Sequence, residues 1–338
     1  MKIGISVRRF GPCGGMEGVA YGFVRWLAGQ GHTVEVWSQS FEDSGPRVHH
    51  RPLRAGGRGV IWKAHSLSRA LRRIPTQDVD AFLHFERGGL GGAYRAGAGC
   101  HAAFRERCGG GAFGSFIEAL DRETCRTASP LIVNSEMVLN ELQQFYGIPS
   151  DQLRLVRNGV DLKRFRPADH YAQPTVVFVG SDARRKGLET AIQAMSRLDG
   201  VQLFVVGNVT NVAKRWAASA GVLERVDFLG WVERPETVVS RAHAMVLPTQ
   251  YDPSSNAMLE AMAAGVPVVT SRSNGAAELS PEPWLVLDDH RDADHCAEVL
   301  LRAMEDSALP EVCRSVASSY DVDTAYAALL QAITEESC

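Results

Sequence analysis

The most constraining feature of this chain is an alternation of short β-branched runs with helix-like segments that stops and then starts again. Ile3–Val7, Thr33–Trp37, Ala81–His84, Leu131–Val133 and Leu153–Val156 read as strands. Between the first two, Val19, Phe23 and Leu27 lie on one face of a helix. After Pro167 the pattern restarts with strand Thr175–Val179, helix Leu188–Arg197, strand Val201–Val206 and helix Val212–Ala220. It continues with strands Val226–Leu229 and Ala244–Leu247, helix Ala257–Ala264 and strand Val266–Thr270. Strands alternating with helices of about ten residues mean parallel sheets with right-handed crossovers. Two such series predict an α/β chain of two Rossmann-like domains, residues 1–160 and 167–313, a count that suits 338 residues. The last helical segment, Thr324–Ile333, has no strand after it, so residues 314–338 are expected to return to the first domain. Ligands of such sheets bind at the carboxyl ends of the strands. With the domains facing each other, the ligand cleft is expected between them.

Composition removes the competing classes. Hydrophobic residues make up 45% and charged residues 22%, which excludes a disordered, collagenous or coiled-coil chain. No run of about 18 apolar residues occurs, so no transmembrane helix is expected. The opening MKIGISVRRFGP reads as a strand, and no signal peptide is expected. Seven cysteines form no Cys-x-x-Cys, which argues against a zinc ribbon or a redox pair. Cys13, Cys100, Cys108, Cys125, Cys296, Cys313 and Cys338 therefore read as reduced thiols of a cytoplasmic protein.

Charge is divided unevenly. Residues 1–166 carry 23 Lys and Arg against 15 Asp and Glu, net +8, while the remainder carries 13 against 24, net −11. Arg47, Arg51, Arg54, Arg58, Lys63, Arg69, Arg72 and Arg73 form a run without an acid, interleaved with Trp62, Leu67, Leu71 and Ile74. Such a stretch suits anionic lipid at the inner face of the cytoplasmic membrane, or an anionic acceptor. Its plainer reading is a solvated basic helix face. No nucleic-acid partner is expected.

Four motifs sit where strands end. Gly11-Pro-Cys-Gly14-Gly15-Met-Glu17 follows the first strand, and adjacent glycines let the backbone approach an anion at a helix start. It is not Gly-x-Gly-x-x-Gly, and the strand Thr33–Trp37 has no acidic residue at its tip, which disfavours a dinucleotide dehydrogenase. Gly180-Ser-Asp-Ala-Arg184-Arg185-Lys186-Gly187 presents three consecutive cations after a strand, an arrangement that suits a diphosphate. In Asp252-Pro-Ser-Ser255-Asn256-Ala257-Met-Leu-Glu260, cap-type residues precede a helix whose first amides suit a phosphate. Gly265 ends that helix and Pro267 starts a buried strand. Glu260 stands in an otherwise apolar segment, which favours a site-facing role. Asn274-Gly275-Ala-Ala-Glu278 makes a further turn after the next strand. Each motif has a bland alternative as a tight or merely exposed turn.

In this order and spacing, the C-terminal motifs resemble the retaining glycosyltransferases of family 4, which have the GT-B fold. The family's Glu-x7-Glu followed by Gly-Val-Pro-Val-Val stands here as Asp252-x7-Glu260 followed by Gly265-Val-Pro267-Val-Val. Asn158-Gly-Val-Asp161-x3-Phe165-x-Pro167 resembles its interdomain segment, and Gly14-Gly15-Met16-Glu17 its donor loop. The Gly180–Gly187 pattern is most similar to lipopolysaccharide-core glucosyltransferases. The resemblance implies roles. Gly14 and Gly15 approach the donor, and Arg185 and Lys186, with Arg184, meet its diphosphate. Glu260 accepts from the ribose hydroxyls. Asp252 holds a donor-sugar hydroxyl, and Ser255, Asn256 and Ala257 offer amides. Gly230, within Leu229–Val232, frames the base, and Gly275 lies in the last donor turn. Asp252 is one methylene shorter than the family's Glu, Ser181 replaces its Arg, and Ala98 stands where related enzymes carry an Asp. His101, with His84 behind it, is the candidate for contacts near the reacting sugar.

The expected function is transfer of a hexose, glucose by preference, from a nucleotide sugar such as UDP-glucose to a glycan or glycolipid acceptor of the lipopolysaccharide-core type. The donor is a substrate. No cofactor and no divalent metal are expected. The alternatives are a GT-B nucleotide-sugar epimerase and a catalytically dead nucleotide-sugar-binding module.

Overall fold

A computed structural model describes residues 1–12 and 14–335, so Cys13 and Cys338 lie outside the described residues. The chain divides into two compact units, Met1–Asn158 with Asp323–Cys338, and Gly159–Val322.

The first unit is built on a seven-stranded parallel sheet. Its strands are β1 (Lys2–Ser6), β2 (Thr33–Ser38), β3 (Val48–Pro52), β4 (Ala81–His84), β5 (Ala93–Arg95), β6 (Leu131–Val133) and β7 (Leu153–Leu155), in the order β3-β2-β1-β4-β5-β6-β7. Arg9–Phe10 and Ser40–Phe41 form a separate two-stranded parallel ladder. Helices α1 (Gly15–Gly29), α2 (Val60–Leu71), α3 (His101–Cys108), α4 (Ala112–Thr127) and α5 (Glu136–Tyr146) connect the strands. Ile3, Ile5, Val34, Val36, Leu83 and Ile132 are fully buried. Each such side chain contributes about 1.5–3 kcal/mol by leaving water. Gly4 is required by packing: a Cβ there would stand 2.3 Å from the Phe82 ring.

The second unit repeats the plan. Strands β8 (Thr175–Val179), β9 (Gln202–Val206), β10 (Val226–Gly230), β11 (Ala244–Leu247), β12 (Val268–Ser271) and β13 (Val286–Leu287) form a parallel sheet in the order β10-β9-β8-β11-β12-β13. Helices α6 (Leu188–Met195), α7 (Asn211–Ser219), α8 (Glu236–Val239), α9 (Asn256–Ala263), α10 (Ala293–Glu305) and α11 (Leu309–Ser318) accompany it. Arg314 on α11 donates to the Phe165 carbonyl at 2.8 Å and also to the Ala263 carbonyl. It thereby pins the segment after Gly159 to the carboxyl end of α9, where a cation also suits the helix dipole.

The last helix, α12 (Val322–Thr334), packs in the first unit. Its Leu329 and Ile333 join the core of Ile3 and Phe23, and its Tyr326 ring lies 5.6 Å from that of Phe23. Gly22 on α1 makes room for it, since a Cβ there would meet the Tyr326 hydroxyl. Residues 314–322 sit instead in the second unit, because Cys313 and Ala317 on α11 are buried in its core.

The basic run is not one helix. Its first part is edge strand β3, where Val48 pairs with Val34. Pro52 and the glycines at 56, 57 and 59 then separate the strand from α2. Leu67 packs toward Trp37, Leu53 and Leu71, so it does not share a face with the exposed Trp62. Val60 and Ile61 are the apolar residues exposed beside Trp62. No helix among the described residues is long and apolar enough to cross a membrane.

Candidate active site

In the second unit three strand ends converge on glycines. Gly180, after β8, donates to the Val206 carbonyl at 2.9 Å, and Gly207, after β9, donates to the Gly230 carbonyl at 2.7 Å. A Cβ on Gly207 would come within 2.4 Å of the Gly180 carbonyl oxygen, so only glycine lets the two chains lie this close. Gly230 has φ +67°, a conformation that favours glycine. Leu229 and Trp231 on either side of it are exposed.

The loop from Ser181 to Gly187 carries the three cations and sends them to different partners. Gly187 is held at φ +78° against Pro248, whose carbonyl oxygen would be 1.9 Å from a Cβ, which fixes where the loop enters α6. The Arg185 Nη1 donates to the Tyr251 carbonyl at 2.8 Å, and its Nε to Asp182 at 3.0 Å. Lys186 Nζ donates to the Asp252 carboxylate in an ion pair that is largely shielded from water. Arg184 is exposed and lies apart from that pair, its guanidinium 5.7 Å from the centre of the Trp216 ring. Arg185 and Lys186 thus converge on the segment before α9, and Arg184 does not.

The start of α9 is assembled by Asn274. Its Oδ1 accepts from the Ser255 amide at 3.2 Å and the Ala276 amide at 3.1 Å, and its Nδ2 donates to Thr270 Oγ1 at 3.0 Å. Gly275 donates to the Asp252 carbonyl at 2.8 Å, which ties the Asn274–Gly275 turn to the acid. Ser255 is the N-cap of α9, yet its hydroxyl makes no capping bond. The Oγ atom is buried without a hydrogen-bond partner among the described residues. An unpaired buried hydroxyl costs about 1–3 kcal/mol. Asn256 and Ala257 follow it as the first residues of the helix.

Glu260 lies one turn along α9 and is half-buried. Its carboxylate has no hydrogen bond or ion pair among the described residues. Burial pushes its pKa up to about 7, the Glu236 charge adds to that rise, and Arg164 and Lys186 oppose it. Glu236, on α8, is itself clamped by Arg164 at 2.8 Å and Arg234 at 3.0 Å. Arg164 therefore bonds to one acid and tempers the other.

The first unit holds the remaining candidates. Gly14 has φ +79° and is the N-cap of α1, and Gly15 starts that helix. A Cβ on Gly14 would meet a Glu17 carboxylate oxygen at 2.8 Å, and that carboxylate is engaged by Arg9 at 3.1 Å. His101 starts α3, with its backbone amide on Asp121 at 2.9 Å. Its Nε2 is buried without a hydrogen-bond partner among the described residues, and burial lowers the ring's pKa. His84 is fully engaged: Nδ1 pairs with Ser6 Oγ at 2.7 Å and Nε2 with the Gly91 carbonyl at 3.0 Å. Only 2% exposed, it is a structural histidine and not a candidate for sugar contact.

Sequence reasoning did not single out Asn274 itself, the Arg164–Glu236–Arg234 cluster, or the buried Arg87–Asp121 pair at 2.6 Å. Asn directly before Gly275 was a usable signal for the first. Arg164–Glu236 and Arg87–Asp121 join residues 72 and 34 apart in the chain, with no local pattern to reveal them. Among the described residues no group of three or more His, Cys, Asp or Glu is placed to hold a metal ion.

Residues 161–319 match the family model described as Glycosyl transferases group 1, and residues 13–164 match that described as Glycosyltransferase Family 4. A glycogen synthase of Mycobacterium tuberculosis is 31% identical over 183 residues, covering 50% of this chain and 43% of that protein. The lipopolysaccharide core biosynthesis glycosyltransferase LpsE of Rhizobium meliloti is 32% identical over 152 residues, covering 42% of each. The matched region thus spans less than half the length of these relatives. In fold, the chain is similar to WaaG, a glycosyltransferase involved in lipopolysaccharide biosynthesis, with a TM-score of 0.83 at 20% identity over 99% of this chain and 100% of that one. The Anabaena protein HepE in complex with UDP-glucose gives a TM-score of 0.75 at 16% identity, over 98% of both chains.

Proposed function

The chain belongs to the GT-B glycosyltransferases, and we propose that it moves a hexose, glucose by preference, from a UDP-linked donor to a glycan or glycolipid acceptor with retention of anomeric configuration. The observation that carries this reading is the start of α9. There a paired Lys186 and Asp252, an unpartnered Ser255 hydroxyl and an unpartnered Glu260 carboxylate are set along nine residues of chain and the loop it faces. Unsatisfied polar groups in a buried place are costly, and a bound donor is what would satisfy them. Supporting the donor class, HepE is described in complex with UDP-glucose. Supporting the acceptor class, LpsE and WaaG are both named for lipopolysaccharide synthesis.

In this reading the ionised Glu260 accepts hydrogen bonds from the ribose hydroxyls. The Ser255 hydroxyl and the first amides of α9 meet the diphosphate. Asp252 turns from Lys186 to a donor-sugar hydroxyl. As the bond from the anomeric carbon to the diphosphate oxygen breaks, negative charge grows on the diphosphate, and Arg185 and Lys186 stabilise it. No divalent metal is assigned to this step. The acceptor hydroxyl oxygen forms the new bond to the anomeric carbon on the face the diphosphate leaves, and its proton passes to the departing diphosphate oxygen. Peripheral attachment to an anionic membrane from the cytoplasmic side belongs to the same proposal, supported by Val60, Ile61 and Trp62 exposed beside Lys63 at the start of α2.

The test is calorimetric titration of the full chain with UDP and with other nucleoside diphosphates, followed by measurement of UDP release from UDP-glucose. Binding of UDP that is weakened in Glu260→Ala, with slow UDP release, supports the reading. Binding that is indifferent to Glu260 overturns it.

A further inference from the structure

The basic run of the first unit separates into two kinds of arginine. Arg51 is paired with Glu35 at 2.7 Å, Arg72 with Glu123 at 2.6 Å, and Arg47 donates to the Gly31 carbonyl at 3.1 Å. Arg54, Arg58, Arg69 and Arg73 have no side-chain hydrogen bond or ion pair among the described residues. These four line one open groove of about 650 Å³, with Trp62 and His65 also in its wall and no acidic residue in its lining. Like charges gathered without a counter-ion repel each other, and Arg69 and Arg73 stand four residues apart along and just beyond α2, where that repulsion is direct. Carboxylates neutralise Arg51 and Arg72, and a backbone carbonyl engages Arg47, which leaves this set bare.

The groove is also constructed. The loop before α2 is fastened to the helix by the Gly56 amide on Ser66 Oγ at 3.1 Å, and to β2's end by the Gln39 side chain on the Ala55 carbonyl at 2.8 Å. Gly57, at φ +144°, lies against Trp62, where a Cβ would be 3.1 Å from the Trp62 Cβ. Arg54 and Arg58 on the loop thus face the groove that Arg69 and Arg73 line from the helix. Guanidinium groups match phosphate oxygens in a two-point fork, and an exposed indole offers an apolar wall beside them.

We propose that this groove binds the phosphate groups of a phosphorylated saccharide, the anionic part of the acceptor. This rests on the glycosyltransferase reading above and names its acceptor class. A concave site with four converging guanidinium groups suits a compact multivalent anion, whereas the apolar tip at Val60–Trp62 is the part suited to lipid.

The experiment uses the full chain with UDP at saturation, so that a diphosphate site in the second unit is filled, and titrates inorganic pyrophosphate by calorimetry. Pyrophosphate is expected to bind, and Arg69→Glu/Arg73→Glu is expected to weaken it about tenfold or more, the scale of losing charge-assisted contacts. Arg54→Ala/Arg58→Ala, on the loop and not the helix, should weaken it as well, with UDP affinity unchanged in both. Absence of pyrophosphate binding, or binding indifferent to both pairs, overturns the proposal. So does binding of phosphatidylglycerol vesicles that falls in Arg69→Glu/Arg73→Glu when pyrophosphate itself does not bind, since the arginines then serve lipid headgroups. Failure of UDP to bind counts against the donor reading, and the pyrophosphate titration without UDP still decides the groove.

Discussion

Each unit has a parallel sheet with its first strand near the middle, yet two polar clusters, one in each unit, are settled in opposite ways. Around His84 and Asp121 in the first unit, the groups are closed upon one another. His84 at the end of β4 has both ring nitrogens bonded, and Asp121 takes Arg87, Tyr146 and the His101 amide. In the second, the Ser255 hydroxyl and the Glu260 carboxylate are left open beside a lysine. One scaffold therefore yields a rigid framework or a ligand site according to whether its buried polar groups find protein partners. Closed groups add stability, and open ones reserve free energy for a ligand.

Asp121→Ala tests the closed side most severely. Removing one partner leaves the Arg87 guanidinium uncompensated, and breaking such a pair costs about 3–5 kcal/mol. Denaturant unfolding should show that loss in the first unit's transition, and UDP binding to native protein should persist. A loss under about 1 kcal/mol would make the pair behave like an exposed one and erase the contrast.

The next effect is the pH dependence of His84. Burial holds its pKa down to about 4, against an ordinary 6.5. The unfolded chain thus binds the proton more readily, so stability is complete above about 6.5 and is lost as pH falls toward 4, by on the order of 3 kcal/mol. His84→Gln should flatten that part of a stability-versus-pH curve, and an unaltered slope would assign it to other groups.

Lys186→Ala probes the open side. If the lysine stabilises charge growing on the diphosphate, turnover should drop about a hundredfold or more. A change confined to the donor KM would reduce it to uniform binding.

Glu260 gives the smallest and most discriminating effect. Its raised pKa means the free protein gains stability below about 7 and loses it as pH rises from about 4.5 through 7. Donor binding runs the other way, because the carboxylate must be ionised to accept from the ribose. UDP affinity should therefore fall by up to about tenfold per pH unit below 7, and Glu260→Gln should bind weakly and without that dependence. Equal pH profiles for the two proteins would place the titrating group elsewhere.

What the sequence determined by itself is the part governed by local rules. The restarted strand–helix alternation yields two parallel sheets, since periodicity and crossover handedness act within a few tens of residues. The glycines at 187 and 207 report close backbone approaches, because an added Cβ has few ways to avoid a carbonyl. The segment Asp252–Glu260 is legible as a cap, a helix and an acid in register. Tertiary structure decided everything that depends on who pays for a buried charge. Lys186 and Asp252 meet across 66 residues, and Arg87 and Asp121 across 34. Two histidines that look alike in sequence divide into His84, with both nitrogens bonded, and His101, with Nε2 unpartnered among the described residues. One run of eight cations divides into those with carboxylate neighbours and those without. Such outcomes depend on which distant side chains share a low-dielectric neighbourhood, and the free energy of a buried charge or hydroxyl is set by that neighbourhood rather than by the residue's own type.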